Sequence, residues 1–115
     1  MSEGCLFCKI IKGDIPSKKI WEDGYCFAFL DIQPQAPGHA LIVPRRHAAG
    51  LNDLDGLTDA ELAACLRATD AVAGELGIRE GGYRLVSNCG GHACQSVPHL
   101  HFHVIGGRQL TGQMG

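Results

Sequence analysis

Ser96-Val97-Pro98-His99-Leu100-His101-Phe102-His103-Val104-Ile105-Gly106-Gly107-Arg108 is the stretch on which the reading of this 115-residue chain turns. Three histidines alternate with Leu100, Phe102 and Val104. Successive side chains on a strand point to opposite faces, so the imidazoles of His99, His101 and His103 share one face and the apolar side chains share the other. The apolar face reads as core. The histidine face has to meet water, a ligand or a metal, because buried imidazoles without partners are costly. At a rise of about 3.3 Å per residue, same-face neighbours stand about 6.6 Å apart, which is roughly the span of a phosphate and its leaving group. The period predicts a strand over 97–105, closed by Gly106 and Gly107.

Working outward, 82–88 reads as a strand and 89–95 as a glycine-containing loop. Thr58 and Glu61 have capping-box spacing, in which hydroxyl and carboxylate each satisfy an orphan backbone N–H. Leu62, Cys65, Leu66, Thr69, Val72, Ala73 and Leu76 follow at helical intervals, and Gly77 suits a left-handed cap. Upstream, the Asp23-Gly24 turn joins a short run at Ile20 to an aromatic-rich strand over 25–32, a hairpin signal. A turn-rich connector, 33–38, leads to a strand over 39–44, with Pro44 at its end because proline cannot donate to a ladder. A short helix over 5–12 is ended by Gly13, Asp14 and Pro16. One long helix against hairpin-joined strands defines an α+β domain with a mainly antiparallel sheet. The length suits a single domain, 1–115, with 112–115 as a tail.

Ten Lys and Arg against twelve Asp and Glu give a formal charge of −2. No basic surface is implied, so nucleic acid is not an expected partner. The apolar runs are too short to span a bilayer, and Met1-Ser2-Glu3-Gly4 does not open a signal peptide, so a cytoplasmic home is expected and no membrane partner. Thiols stay reduced there, and the six cysteines read as ligands, reactive thiols or small core residues. Cys5-Leu6-Phe7-Cys8 has the two-residue spacing that grips one tetrahedral ion, and two further ligands are needed. Cys89 and Cys94 are spaced too widely for such a knuckle. Cys26 and Cys65 read as small buried hydrophobes.

From the residues alone, two other classes compete with histidine nucleophilic chemistry. Three histidines could bind a catalytic metal, completed by His39 or His92, with water as nucleophile. A binding module with little catalysis that works through partner proteins is the other.

The triad stretch, His-x-His-x-His followed by Val104 and Ile105, resembles the signature of the histidine-triad (HIT) family. Gln95-Ser96-Val97 before it and Gly106-Gly107-Arg108 after it resemble the Hint branch, the nucleoside phosphoramidate hydrolases. Asp31-Ile32 ahead of Pro34-Gln35-Ala36-Pro37-Gly38-His39 matches that branch, as does Ile42-Val43-Pro44-Arg45-Arg46-His47. The similarity runs from Cys5 to Arg108. Two departures stand out: Cys94 replaces a glycine common in the branch, and the C-terminus lacks the tryptophan of some relatives.

The resemblance implies a five-stranded antiparallel sheet with one long and one short helix, extended across a homodimer. It implies a purine nucleoside phosphoramidate hydrolase in which His101 attacks the α-phosphate and forms a covalent nucleotidyl-histidine. His103 would bond phosphate oxygens and assist the leaving group, with Ser96 as a second proton source. Asn88, Gln95 and Ser96 would surround the phosphate, Asp31 would accept the ribose hydroxyls, and Phe7, Ile10, Phe29 and Ile32 would form the base slot, with His39 bordering the triad. Bacterial relatives join the first cysteine pair to two histidines, here Cys5, Cys8, His47 and His99, around a structural zinc. His103 favours hydrolysis over transfer, since transferase relatives carry glutamine there. Dinucleoside polyphosphate hydrolysis is the nearest alternative activity.

Overall fold

The computed structural model of the chain describes residues 4–115, and the signal-peptide reading of Met1, Ser2 and Glu3 falls outside them. Helix α1, Leu6–Lys12, starts at Cys5, whose Sγ accepts the Cys8 N–H, and stops at Gly13 with φ 88°. Strands β1, Lys19–Glu22, and β2, Cys26–Leu30, form the expected hairpin. Its turn is held by Asp23 Oδ1, which accepts the N–H groups of Tyr25 and Cys26. Strand β3 is Gly38–Pro44, helix α2 Asp59–Leu76, β4 Tyr83–Val86 and β5 Phe102–Gly106. Together the strands make one antiparallel sheet in the order β1-β2-β3-β5-β4.

Strands β2 and β3 are buried on both faces, and side-chain size alternates along them. On one face, Cys26, Ala28, Ala40 and Ile42 lie under α2 with Leu100, Phe102 and Val104. On the other, Phe27, Phe29, Leu41 and Val43 pack with Phe7 and Ile10 of α1. Small residues let the long helix sit close, while the phenylalanines carry the thinner α1 side, each burial contributing about 1.5–3 kcal/mol. Residues of both phases are therefore apolar in β2 and β3.

Both ends of α2 follow the sequence expectation. Thr58 and Glu61 form the capping box, and Gly77 closes the helix at φ 73°. Leu66 departs from it: it is 55% exposed, and Ala68 takes a core place. At 3.6 residues per turn, Leu66 falls about 100° away from Cys65 and off the buried stripe.

The larger correction concerns the histidine stretch. Regular pairing begins only at Phe102, so of the three histidines His103 alone lies on a strand. Pro98 has no N–H to give, the His99 N–H turns back to the Val97 carbonyl at 2.8 Å, and the Leu100 N–H goes to the Ala48 carbonyl at 2.6 Å. The alternation survives nonetheless. Leu100, Phe102 and Val104 enter the α2 core, and His99 and His101 pack edge-on to Phe7 on the opposite side.

Candidate active site

Two groups of three or more ligand-type side chains converge among the described residues: Cys5, Cys8, His47 and His99, and Asp31, His39 and His103. They occupy neighbouring places along one histidine row, with His101 between. Their hydrogen bonds separate them chemically.

His99 is fully buried, and its Nε2 lies 2.9 Å from the Pro44 carbonyl. A carbonyl can only accept, so Nε2 carries the proton and Nδ1 keeps a lone pair. That lone pair stands 3.3 Å from Cys5 Sγ and 3.5 Å from Cys8 Sγ, while His47 Nδ1 is 3.4 Å from Cys8 Sγ. A tetrahedral ion with Zn–S of about 2.3 Å and Zn–N of about 2.0 Å requires S···N edges of about 3.5 Å. The donor set, the lone-pair direction and the spacing all fit zinc. Burial, with His47 and His101 nearby, pushes His99 down to about 4 against the pull of the Pro44 carbonyl, so the ring is neutral. A neutral ring is what a ligand needs.

The second group fails the same test. His39 is buried, and its Nδ1 accepts the Gln35 backbone N–H at 2.9 Å, which puts the ring proton on Nε2. His39 Nε2 lies 2.9 Å from His103 Nδ1 and 3.4 Å from Asp31 Oδ2. The shorter contact takes the proton, so His103 Nδ1 accepts and His103 Nε2–H is a donor. Coordination through His39 Nε2 would need the proton moved to Nδ1, against the Gln35 N–H. This group is a hydrogen-bond relay. Burial lowers both rings, His103 to about 4 with His101 and His39 adding to the effect, and Asp31 opposes it in each. Both are neutral near pH 7.

His101 has the reverse tautomer. Its Nδ1–H donates to the His99 carbonyl at 2.7 Å, leaving Nε2 as a free lone pair. The ring is buried, edge-on to Phe7 with centroids 5.1 Å apart and 5.2 Å from His103. A nucleophilic nitrogen thus lies beside a donor N–H.

An apolar cavity of about 340 Å³ opens beside the relay. Phe7, Ile10, Phe29, Asp31, Ile32, Ser96 and His103, all expected from the sequence, line it. Phe7, Ile10 and Phe29 serve as core and as wall at once, whereas Ile32 is 92% exposed at the rim. Asp31 keeps Oδ1 on the Gln33 N–H and faces the cavity beside His39. Leu6, Ile15, Pro16, Ser17 and Val97 also line it, and no role at the site follows for any of them from the sequence. Asn88 is half-buried, outside the lining, and makes no hydrogen bond among the described residues. The Gln95 amide is turned away and committed to Gly90, Ala49 and Val97. His92 is exposed on a 3₁₀ turn, Gly91–Ala93, and joins neither group. The three backbone groups that set the tautomers, the Pro44 carbonyl, the Gln35 N–H and the His99 carbonyl, have no sequence signal at all.

A five-stranded antiparallel sheet with a histidine row beside an apolar cavity defines the class. A family model for the HIT domain matches residues 12–110. The purine nucleoside phosphoramidase of Escherichia coli is 40% identical over 110 residues, covering 96% of this chain and 92% of that protein. A 13.2 kDa HIT-like protein of Azospirillum brasilense is 46% identical over 106 residues, covering 91% and 87%. A solved HIT family hydrolase from Clostridium thermocellum superposes with a TM-score of 0.92 at 43% identity, covering 97% of each chain. The chain belongs to the HIT domain family and is a hydrolase of that family.

Proposed function

We propose that this protein is a purine nucleoside phosphoramidate hydrolase of the Hint branch, with a structural zinc. The observation that carries the reading is the pairing of opposite tautomers: a free His101 Nε2 beside His103, which carries its proton on Nε2 and lines the apolar cavity. The name of the E. coli relative supplies the P–N substrate class.

In this reading the base lies between Phe7, Ile10, Phe29 and Ile32, and Asp31 accepts ribose hydroxyls with whatever capacity Gln33 and His39 leave it. His101 Nε2 attacks the α-phosphorus, the P–N bond breaks, and a nucleotidyl-histidine forms. The positive charge left on the His101 ring is held by its Nδ1–H bond to the His99 carbonyl. His103 keeps its Nδ1 lone pair on His39 and bonds phosphate oxygen through its Nε2–H, and the departing amine takes up a proton from water at the exposed Ser96 hydroxyl. Water then attacks the phosphorus and leaves its proton on the released phosphate. His101 leaves as neutral imidazole, and a nucleoside monophosphate is released.

Cys5, Cys8, His47 and His99 would hold zinc. The ion supplies a tether between α1, the end of β3 and the triad segment, and takes no part in bond cleavage. The chain is proposed to form a homodimer through the free edge of β4, where Tyr83 and Leu85 are 36% and 37% exposed. Six cysteines with no disulfide among the described residues suit a reducing, cytoplasmic setting.

The test is incubation with an adenosine phosphoramidate and mass spectrometry of wild type and His101→Ala. Turnover with a trapped adenylyl group on His101, and neither in the variant, is expected. An active variant would overturn the mechanism.

A further inference from the structure

The side-chain amide of Gln95 has a place of its own between the two histidine groups. Its Oε1 accepts the Gly90 N–H at 2.9 Å, and its Nε2 donates to the Ala49 carbonyl at 2.7 Å and the Val97 carbonyl at 3.0 Å. Both amide hydrogens and one oxygen lone pair are used, so the group is aimed by three backbone segments at once. Each segment leads to functional side chains. Ala49 lies two residues after His47, the Val97 carbonyl also takes the His99 N–H, and Gly90 opens the loop that ends at Ser96. Apart from Gln95, one backbone bond, Leu100 N–H to the Ala48 carbonyl, ties the 47–50 segment to the triad segment. Gly50 is shaped to the amide: a Cβ there would stand 3.2 Å from Gln95 Oε1 and 3.3 Å from Nε2.

We infer that Gln95 is a positioning residue that couples the Cys5–Cys8–His47–His99 metal site to the Ser96 loop and His101. The inference rests on the zinc reading above. The amide holds His47 and His99 at the separation one ion needs, and the same bonds set where the Ser96 loop begins. Metal held by His47 and His99 then stiffens the approach to His101, and loss of the amide loosens both ends. Hydrogen-bonded partners outside the ligands themselves commonly change metal affinity by ten- to a hundredfold.

Three variants test this in the full chain. Gln95→Glu keeps the shape and the acceptor while removing both N–H donors, Gln95→Met removes all polarity, and Gly50→Ala displaces an intact amide. Zinc dissociation constants are measured by chelator competition, together with melting of the metal-free protein and kcat and KM for an adenosine phosphoramidate. The expected result is a zinc dissociation constant raised about tenfold in both Gln95 variants and less in Gly50→Ala. Metal-free melting should stay nearly unchanged, and kcat should fall by a larger factor than KM rises, since Phe7, Ile10 and Phe29 of the cavity wall are untouched. Should the Gln95 variants fail to fold, Gly50→Ala carries the test by the same readouts. Unchanged zinc affinity in a zinc-binding wild type would overturn this inference alone. Metal-free melting lowered as far as zinc-loaded melting would overturn it too, by making Gln95 an ordinary loop stabiliser. A wild type that binds no zinc would overturn the metal-site reading, and the coupling with it.

Discussion

Two clusters of histidine with cysteine or aspartate sit within a few residues of each other, and each brings its ligand atoms within 4.8 Å. By distance alone they are equivalent. Single backbone groups separate them. The Pro44 carbonyl takes the Nε2 proton of His99 and turns a lone pair toward two thiols. The Gln35 N–H takes the Nδ1 lone pair of His39 and turns a proton toward His103. One cluster is thereby prepared to hold a cation and the other to donate a hydrogen bond to an anion. Proximity of ligand-type residues is a poor guide to a metal site unless the hydrogen bonds on the far side of each ring are traced.

The largest effect that would break this division is expected at the residue between the clusters. His101→Ala should lower turnover of an adenosine phosphoramidate at least about a thousandfold, read in single-turnover assays, while bound zinc stays stoichiometric. Zinc lost together with activity would merge the two regions into one.

Next in size is removal of the metal. Chelation, or Cys8→Ser, should lower the melting temperature by about 10 °C, the scale of a few kcal/mol in a domain of this length. Zinc-free protein that remains folded should still form the adduct on His101. A chelator that abolishes adduct formation in folded protein would contradict a purely structural ion.

His39→Phe sharpens the other side. It removes the Nε2–H that fixes the tautomer of His103, so kcat should fall about ten- to a hundredfold with zinc content unchanged. An unchanged kcat would remove the relay from the mechanism.

The smallest effect is a stability slope. Burial holds His103 down to about 4 in the folded chain, against about 6.5 when unfolded, so the unfolded state binds more protons between those values. The contribution of neutral His103 is therefore present above about pH 6.5 and is lost as pH falls toward about 4. Denaturant midpoints across that window should drop, and less steeply in His103→Gln. Parallel slopes would show that another group carries the effect.

How far the sequence reached can be judged from particular residues. The capping box at Thr58 and Glu61, the Asp23-Gly24 hairpin and the αL glycine after α2 are local signals, and each stands where it was read. The alternation around His101 sorted the two faces correctly. It overextended the strand, because Pro98 and the bond from Leu100 to Ala48 draw 96–101 out of the ladder. Phe7, Ile10 and Phe29 looked like core and are core, and only their position over the cavity makes them a wall. Least legible were the tautomers. They depend on main-chain groups of Pro44, Gln35 and His99, brought to the rings by chain folding and independent of those residues' identities.

The most direct test of the division between the clusters is a long-range proton–nitrogen correlation spectrum of the histidine side chains in zinc-loaded protein near pH 7. His39, His99 and His103 should carry their proton on Nε2 and His101 on Nδ1, with the His99 Nδ1 resonance showing metal coordination. His39 protonated on Nδ1 would contradict the relay, and His101 protonated on Nε2 would contradict the nucleophile.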